Sequence, residues 1–169
     1  VKVYHTKDDG WNSMQLVSQS IFGEAVHDYF GVSVDITPDG ITVAVGSPGT
    51  SNVNDRPGYV RVFYLESDDL GSSWKQLGQD IIGEANGDQF GYSVSLSGDG
   101  RTLAIGANTN DGNGENSGCV RIYHLQGDGT SWEQIGQDIY GAAAGDNLGH
   151  SLSLSADGTT VAIGARRND

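Results

Sequence analysis

The chain has 169 residues, with 22 acidic against 9 basic side chains and a formal net charge of -13. That length fits one domain, and a negative field of this size repels phosphate backbones and anionic headgroups, which argues against nucleic acid and membrane surfaces as partners. Apolar runs are a few residues long, far short of the roughly 20 that cross a bilayer as a helix, and 26 glycines beside 3 prolines favour short strands and tight turns.

Read in chain order, one unit recurs with a period of about sixty residues. The strand Val1-Lys2-Val3-Tyr4-His5 returns as Val60-Arg61-Val62-Phe63-Tyr64 and as Val120-Arg121-Ile122-Tyr123-His124. Each is followed by a tryptophan, Trp11, Trp74 or Trp132, that opens a segment alternating polar and apolar residues. The alternation is clearest over Trp74 to Ile81 and Trp132 to Ile139, and Trp11 to Ile21 is a diverged copy. Next come His27-Asp28-Tyr29-Phe30-Gly31, Gly87-Asp88-Gln89-Phe90-Gly91 and Gly145-Asp146-Asn147-Leu148-Gly149, each leading into a short strand. A turn at Asp39-Gly40, Asp99-Gly100 or Asp157-Gly158 follows, where glycine allows the positive φ of a tight hairpin. It feeds the strands Thr42-Val43-Ala44-Val45-Gly46, Thr102-Leu103-Ala104-Ile105-Gly106 and Thr160-Val161-Ala162-Ile163-Gly164, whose Thr, Ala and Gly face lets a neighbouring sheet approach closely.

Four short antiparallel strands per unit, covered on both faces and repeated at this period, predict an all-β fold of radially stacked sheets, a β-propeller segment. Sustained helical periodicity is missing, and the period exceeds that of a solenoid coil. The register divides the chain into a half-blade over 1–22, blades over 23–82 and 83–140, and a half-blade over 141–169. About three four-stranded blades are too few to close a ring, whose sizes start at about four. The expectation is part of a larger ring, completed by the remainder of a longer propeller or by other subunits that cover the half-blade edges.

At Phe30-Gly31 and Phe90-Gly91, and at Gly46-Ser47-Pro48, Gly106-Ala107-Asn108 and Gly164-Ala165-Arg166, the sequence resembles the FG-GAP repeat, the blade unit of integrin α-chain propellers. The resemblance spans essentially the whole chain. It implies a role in adhesion or as an interaction platform, outside the cell, on its surface or in a membrane-enclosed lumen. Calcium-binding members of that family carry an aspartate-rich loop between the FG and GAP strands. Here Thr37-Pro38-Asp39-Gly40, Ser97-Gly98-Asp99-Gly100 and Ser155-Ala156-Asp157-Gly158 each hold one aspartate, too few for the six to eight oxygens calcium takes. Neither metal nor cofactor is expected.

A residue recurring in every copy is expected to serve the blade, whereas chemistry needs residues unique to one copy. Ser33, Ser93 and Ser151, and Asp28, Asp88 and Asp146, recur and are expected to be structural, and no serine sits in a G-x-S-x-G elbow. His5 and His124 share a position with Tyr64, His27 and His150 lie at unrelated positions, and no His or Cys spacing suits a metal. Cys119 is expected to be a packed or partly exposed thiol. No catalytic residue is assigned. The loops after the GAP-like tripeptides, 49–58 and 109–118, differ between copies, and their Asn54, Asp55, Asn110, Asp111, Asn113 and Glu115 are the expected contacts for a protein or glycan partner. The reading is a non-catalytic interaction or adhesion scaffold. The alternatives are a structural accessory subunit of a large assembly and a propeller hydrolase using Asp35 with Ser95 and Ser153, a site poor in acids.

Overall fold

The computed structural model describes residues 1–8, 10–25, 28–49, 57–69 and 71–168, with side chains described for all of these except 7, 8, 10–12 and 68. They form thirteen strands and no helix. β1 (Tyr4–Asp8) and β2 (Gly10–Leu16) make a two-stranded sheet, and β3 (Ser33–Ile36), β4 (Thr42–Ser47), β5 (Tyr59–Asp68) and β6 (Gly71–Gln76) pair in chain order, with β7 (Ile81–Ile82) against the start of β5. The second complete sheet is β8 (Phe90–Leu96), β9 (Thr102–Ala107), β10 (Cys119–Leu125) and β11 (Trp132–Tyr140), followed by the pair β12 (Leu148–Leu154) and β13 (Val161–Ala165). Every pairing between these strands is antiparallel. The fold is all-β, and its sheets are propeller blades whose first strands adjoin, β3 beside β8 and β8 beside β12.

The turns between first and second strands explain the Asp-Gly repeats. Asp39 Oδ1 accepts from Thr37 Oγ1 (2.6 Å) and Ile41 N (2.9 Å), and Asp99 does the same with Ser97 Oγ (2.6 Å) and Arg101 N (3.0 Å), while Gly40 and Gly100 take φ of 73° and 68°. The second strands of the two complete sheets, β4 and β9, are buried on both faces. Leu103, Ala104 and Ile105 are 0% exposed, and removing a Leu or Ile side chain from water is worth about 2 kcal/mol. Val60, Val62, Phe90, Val94, Leu96 and Trp132 join Leu103 and Ile105 in one core between the two complete blades.

Both halves of the repeat signature meet at the blade-to-blade contact. A Cβ on Gly46 would lie 2.1 Å from the carbonyl oxygen of Gly91, and one on Gly106 would lie 2.2 Å from that of Gly149. The glycines of the first two GAP-like tripeptides, Gly46 and Gly106, therefore receive the backbone of the next blade's FG glycine, and neither site has room for a side chain.

At the fourth strands the blades are latched by tryptophan. Gln79 grips the backbone of Trp132, accepting from its N (2.8 Å) and donating to its O (2.8 Å), and the indole N–H of Trp132 donates to Leu77 O (2.9 Å). Register corrects one expectation. Leu65 pairs with Trp74 and Leu125 with Trp132, but their counterpart Thr6 pairs with Met14, so Met14 and not Trp11 holds the tryptophan position in the first copy. A three-residue shift in the diverged segment concealed this, since periodicity locates an aromatic residue less well than pairing does.

The indole N–H of Trp74 is buried with no hydrogen-bond partner among the described residues. Trp74→Phe should therefore be less destabilising than Trp132→Phe, which strands the Leu77 carbonyl, by about 1 kcal/mol. Urea midpoints of the two variants measure the difference, and equal midpoints would show that the Trp132 bond contributes nothing net.

Candidate functional site

The polar residues along the first strands β3 and β8 are engaged between blades. Ser33 Oγ donates to Gly91 O (2.8 Å) and Ser93 Oγ to Gly149 O (2.6 Å). Asp35 Oδ2 accepts from Leu96 N (2.6 Å) and Ser95 Oγ (3.2 Å), and Ser95 Oγ in turn accepts from Leu154 N (3.0 Å). Asp35 and Ser95, the inward pair on which a hydrolase would depend, thus tie each first strand to the next. One Asp35 oxygen is held by the neighbouring blade and the other accepts from Ile36 N (2.9 Å). No second carboxylate joins the row, because the same position is Ser95 and Ser153 in the other copies.

The aspartates before the FG strands organise turns. Burial raises the pKa of Asp28, but donation from Phe30 N (3.1 Å), Tyr59 OH (2.8 Å), Ala25 N (3.3 Å) and Glu24 N (3.1 Å) outweighs it and holds the carboxyl below its ordinary value. Asp146 accepts from Ala143 N (2.9 Å). Asp88 differs: burial dominates and pushes its pKa up, partly offset by the amide of Asn110 at 2.6 Å.

Two guanidinium centres escaped the sequence reading. Arg121 is 4% exposed and donates from Nε and Nη2 to Asp138 Oδ2 (2.9 and 2.7 Å) and from Nη2 to Glu84 Oε2 (2.6 Å). Arg61 repeats the arrangement with Asp80 (2.8 and 2.6 Å) and Glu24. The signal was present as joint variation: where Arg61 and Arg121 become Lys2, Asp80 and Asp138 become Ser20, and Ala142 stands where Glu24 and Glu84 do. A charged residue inside an apolar strand needs such partners.

The loop between β9 and β10 is built as a fixed platform. Asn110 is 8% exposed; its Oδ1 accepts from Gly112 N (2.9 Å), its amide donates to Asp88, and its carbonyl accepts from Gly118 N (2.9 Å) and Ser117 Oγ (3.2 Å). Asp111 Oδ1 accepts from Asn116 N (2.7 Å), and Asn113 Nδ2 donates to Gly141 O (2.8 Å) and Ala142 O (3.2 Å). Two further bonds, Gly145 N to Glu115 O (2.9 Å) and Asn147 N to Asn116 O (3.0 Å), fasten the loop to the following turn. Of the expected contact residues, Asp111, Asn113 and Glu115 face solvent, whereas Asn110 is an interior support. Asn54 and Asp55 lie outside the described residues, as does His27.

The remaining reactive side chains fall elsewhere. Cys119 is 1% exposed in the core and burial pushes its thiol up to about 12, so it stays protonated. His150 sits beside Tyr92, their rings 5.2 Å apart and Nε2 at 3.4 Å from the hydroxyl. Among the described residues no three His, Cys, Asp or Glu side chains converge as a metal site would need.

Residues 83–123, from the Asp88 turn through β8, β9 and most of β10, match the family model of the FG-GAP repeat. That span is similar to an FG-GAP repeat. No curated protein matches the chain. The matched span contains one glycine from each of the two blade contacts, Gly91 and Gly106, together with Asp88, Asn110 and the exposed loop. The FG-GAP signature thus comprises the residues that stack one blade on the next and fix the loop beside them, the framework of a propeller-like interaction domain.

Proposed function

We propose that this FG-GAP protein is a non-catalytic scaffold that holds Asp111, Asn113 and Glu115 toward a protein or glycan partner, in the extracellular space, at the cell surface or within a membrane-enclosed lumen. One observation supports this reading above the others. The first-strand side chains Ser33, Ser93, Asp35 and Ser95 are committed to blade contacts, whereas Asp111, Asn113 and Glu115 of the variable loop stand in solvent on an anchored backbone. A preorganised loop loses little conformational entropy when it binds. Carboxylates flanking an amide carbonyl suit a partner offering ammonium or guanidinium groups or sugar hydroxyls. The compartment rests on the family resemblance alone.

The test is binding of the labelled chain to a printed glycan array and to immobilised lysozyme as a cationic protein probe. The double variant Asp111→Ala with Glu115→Ala should lose at least about tenfold of any specific signal, equivalent to about 1.4 kcal/mol. Undiminished binding by the double variant would reject the loop as the contact. Turnover of aryl glycosides that disappears with Asp35→Asn would reject the non-catalytic reading.

A further inference from the structure

The guanidinium centres of the two complete blades match closely, and they differ at one neighbouring side chain. Strand pairing sets Ile82 opposite Tyr59 and Tyr140 opposite Cys119, so Ile82 and Tyr140 hold one position of the repeat, two residues beyond Asp80 and Asp138. Residues two apart in extended chain share a face. Tyr140 lies back along that face: its hydroxyl donates to Asp138 Oδ2 (2.9 Å), and its ring covers Gly112, where no Cβ would fit. Asp138 thereby accepts four hydrogen bonds, from Arg121 Nε and Nη2, Gln134 Nε2 and Tyr140 OH.

Isoleucine at position 82 supplies no such donor. Asp80 keeps the other three bonds, from Arg61 Nε (2.8 Å), Arg61 Nη2 (2.6 Å) and Gln76 Nε2 (2.7 Å), and no hydroxyl joins them among the described residues. Its side chain is 30% exposed, against 17% for Asp138 under the tyrosine. Ile82 is itself 61% exposed, and a cavity of about 140 Å³ opens between Glu24, Pro57, Gly58, Tyr59, Asp80 and Ile82. In the following blade the chain's own tyrosine, and not a neighbouring strand, covers the corresponding carboxylate.

We propose that this cavity binds a phenolic ring, the tyrosyl side chain of a protein partner, whose hydroxyl donates to Asp80 as Tyr140 does to Asp138. Size suits a single ring, since a protein cavity of about 150 Å³ holds benzene. Ile82 and Pro57 offer apolar walls for the ring, and the Asp80 carboxylate at one side accepts the hydroxyl proton. Charge favours a neutral donor. Arg61 already stands between Glu24 and Asp80, so an ammonium group would enter beside a guanidinium. None of the lining residues belongs to the loop that carries Asp111, so the two sites are tested separately.

Amide NMR titrations of the 169-residue chain with p-cresol and with N-acetyltyrosinamide test the site. Both probes should shift the Asp80 and Ile82 signals saturably, with dissociation constants of about 1 mM, as expected of ligands with so few atoms. N-acetylphenylalaninamide, which lacks the hydroxyl, and methylammonium should bind at least about tenfold more weakly. Ile82→Tyr places the chain's own ring over Asp80, as in the following blade, and should abolish the shifts while the signals of the other blade stay in place. Four results would overturn the proposal: no saturable shift in the wild type, shifts retained in Ile82→Tyr, equal affinity for either control probe, or binding of p-cresol without N-acetyltyrosinamide. The last would assign the cavity to free phenols and not to a tyrosyl side chain.

Discussion

Gly106→Ala should destabilise the protein by about 3 kcal/mol or more, a large part of the total stability of a domain this size, while Gly164→Ala should cost less than about 1 kcal/mol in the single chain. The two glycines occupy the same position in successive copies and differ only in what faces them. A Cβ on Gly106 would lie 2.2 Å from Gly149 O and 2.3 Å from Ser93 Oγ. The serine could rotate only by giving up its 2.6 Å bond to that same carbonyl. The carbonyl cannot retreat, because Gly149 is itself held at φ 84° with its Cα side against Gly106 and Cys119 O. Relief requires the blades to part, which opens the core around Leu103 and Ile105. At Gly164 the nearest atom is Ser151 Oγ at 2.3 Å, the end of a side chain that can turn away. Denaturant midpoints of both variants, compared at equal slope, measure the contrast. Similar losses at both positions would mean that the second strand itself, and not the blade contact, requires glycine.

Much of this arrangement was legible because the repeat constrains itself. Val43, Leu103 and Val161 stand at one position of the repeat, each after an Asp-Gly dipeptide, so the all-β class and the antiparallel pairing of short strands followed from period and turn chemistry. What the sequence could not convey was direction. Asp35 read as an inward carboxylate, yet it turns sideways to the Leu96 amide, because a propeller's first strand presents one face to the next blade. Asn110 read as a loop residue and is interior, since its amide completes the hydrogen bonding of buried Asp88. Met14 in the tryptophan position was hidden by a shift of three residues that only strand pairing reveals. The guanidinium centres were missed for another reason. Their partners lie 17 to 37 residues away, and one strand pattern gives no hint of them until all copies are compared.

The larger electrostatic prediction concerns Arg121. Arg121→Met should cost about 2–3 kcal/mol at pH 7, somewhat below the 3–5 kcal/mol typical of breaking a buried ion pair. The discount has a structural basis. Glu84, 72% exposed at its side chain, returns to water at little cost, and Asp138 keeps donors from Gln134 Nε2 (2.7 Å) and Tyr140 OH (2.9 Å). Asp138 is the group that suffers, because its side chain is 17% exposed and Arg121 is its cation. Burial raises the Asp138 pKa, but bonds from Arg121, Gln134 and Tyr140 outweigh it and hold the folded value below the ordinary one, about 3.9 in an unfolded chain. A depressed carboxylate stabilises the fold above the unfolded pKa and loses that contribution as pH falls through the folded value. Wild type and Arg121→Met should therefore differ most near neutrality and converge below about pH 4. Asp80, held down chiefly by its bond from Arg61, adds acid sensitivity of the same sign to both proteins. Asp88 acts oppositely: its pKa is raised by burial, so its ionisation is unfavourable at neutrality and is relieved as pH falls. It contributes alike to both proteins and leaves their difference unchanged, provided the loop above it stays in place. Denaturant melts at pH 3, 5 and 7 decide the matter. A gap that is constant with pH would assign Arg121 to packing by its aliphatic stem. A gap that closes in acid would identify the guanidinium as the charge that holds β10 to the Asp138 segment and, through Glu84, to the turn whose Asp88 supports the exposed loop.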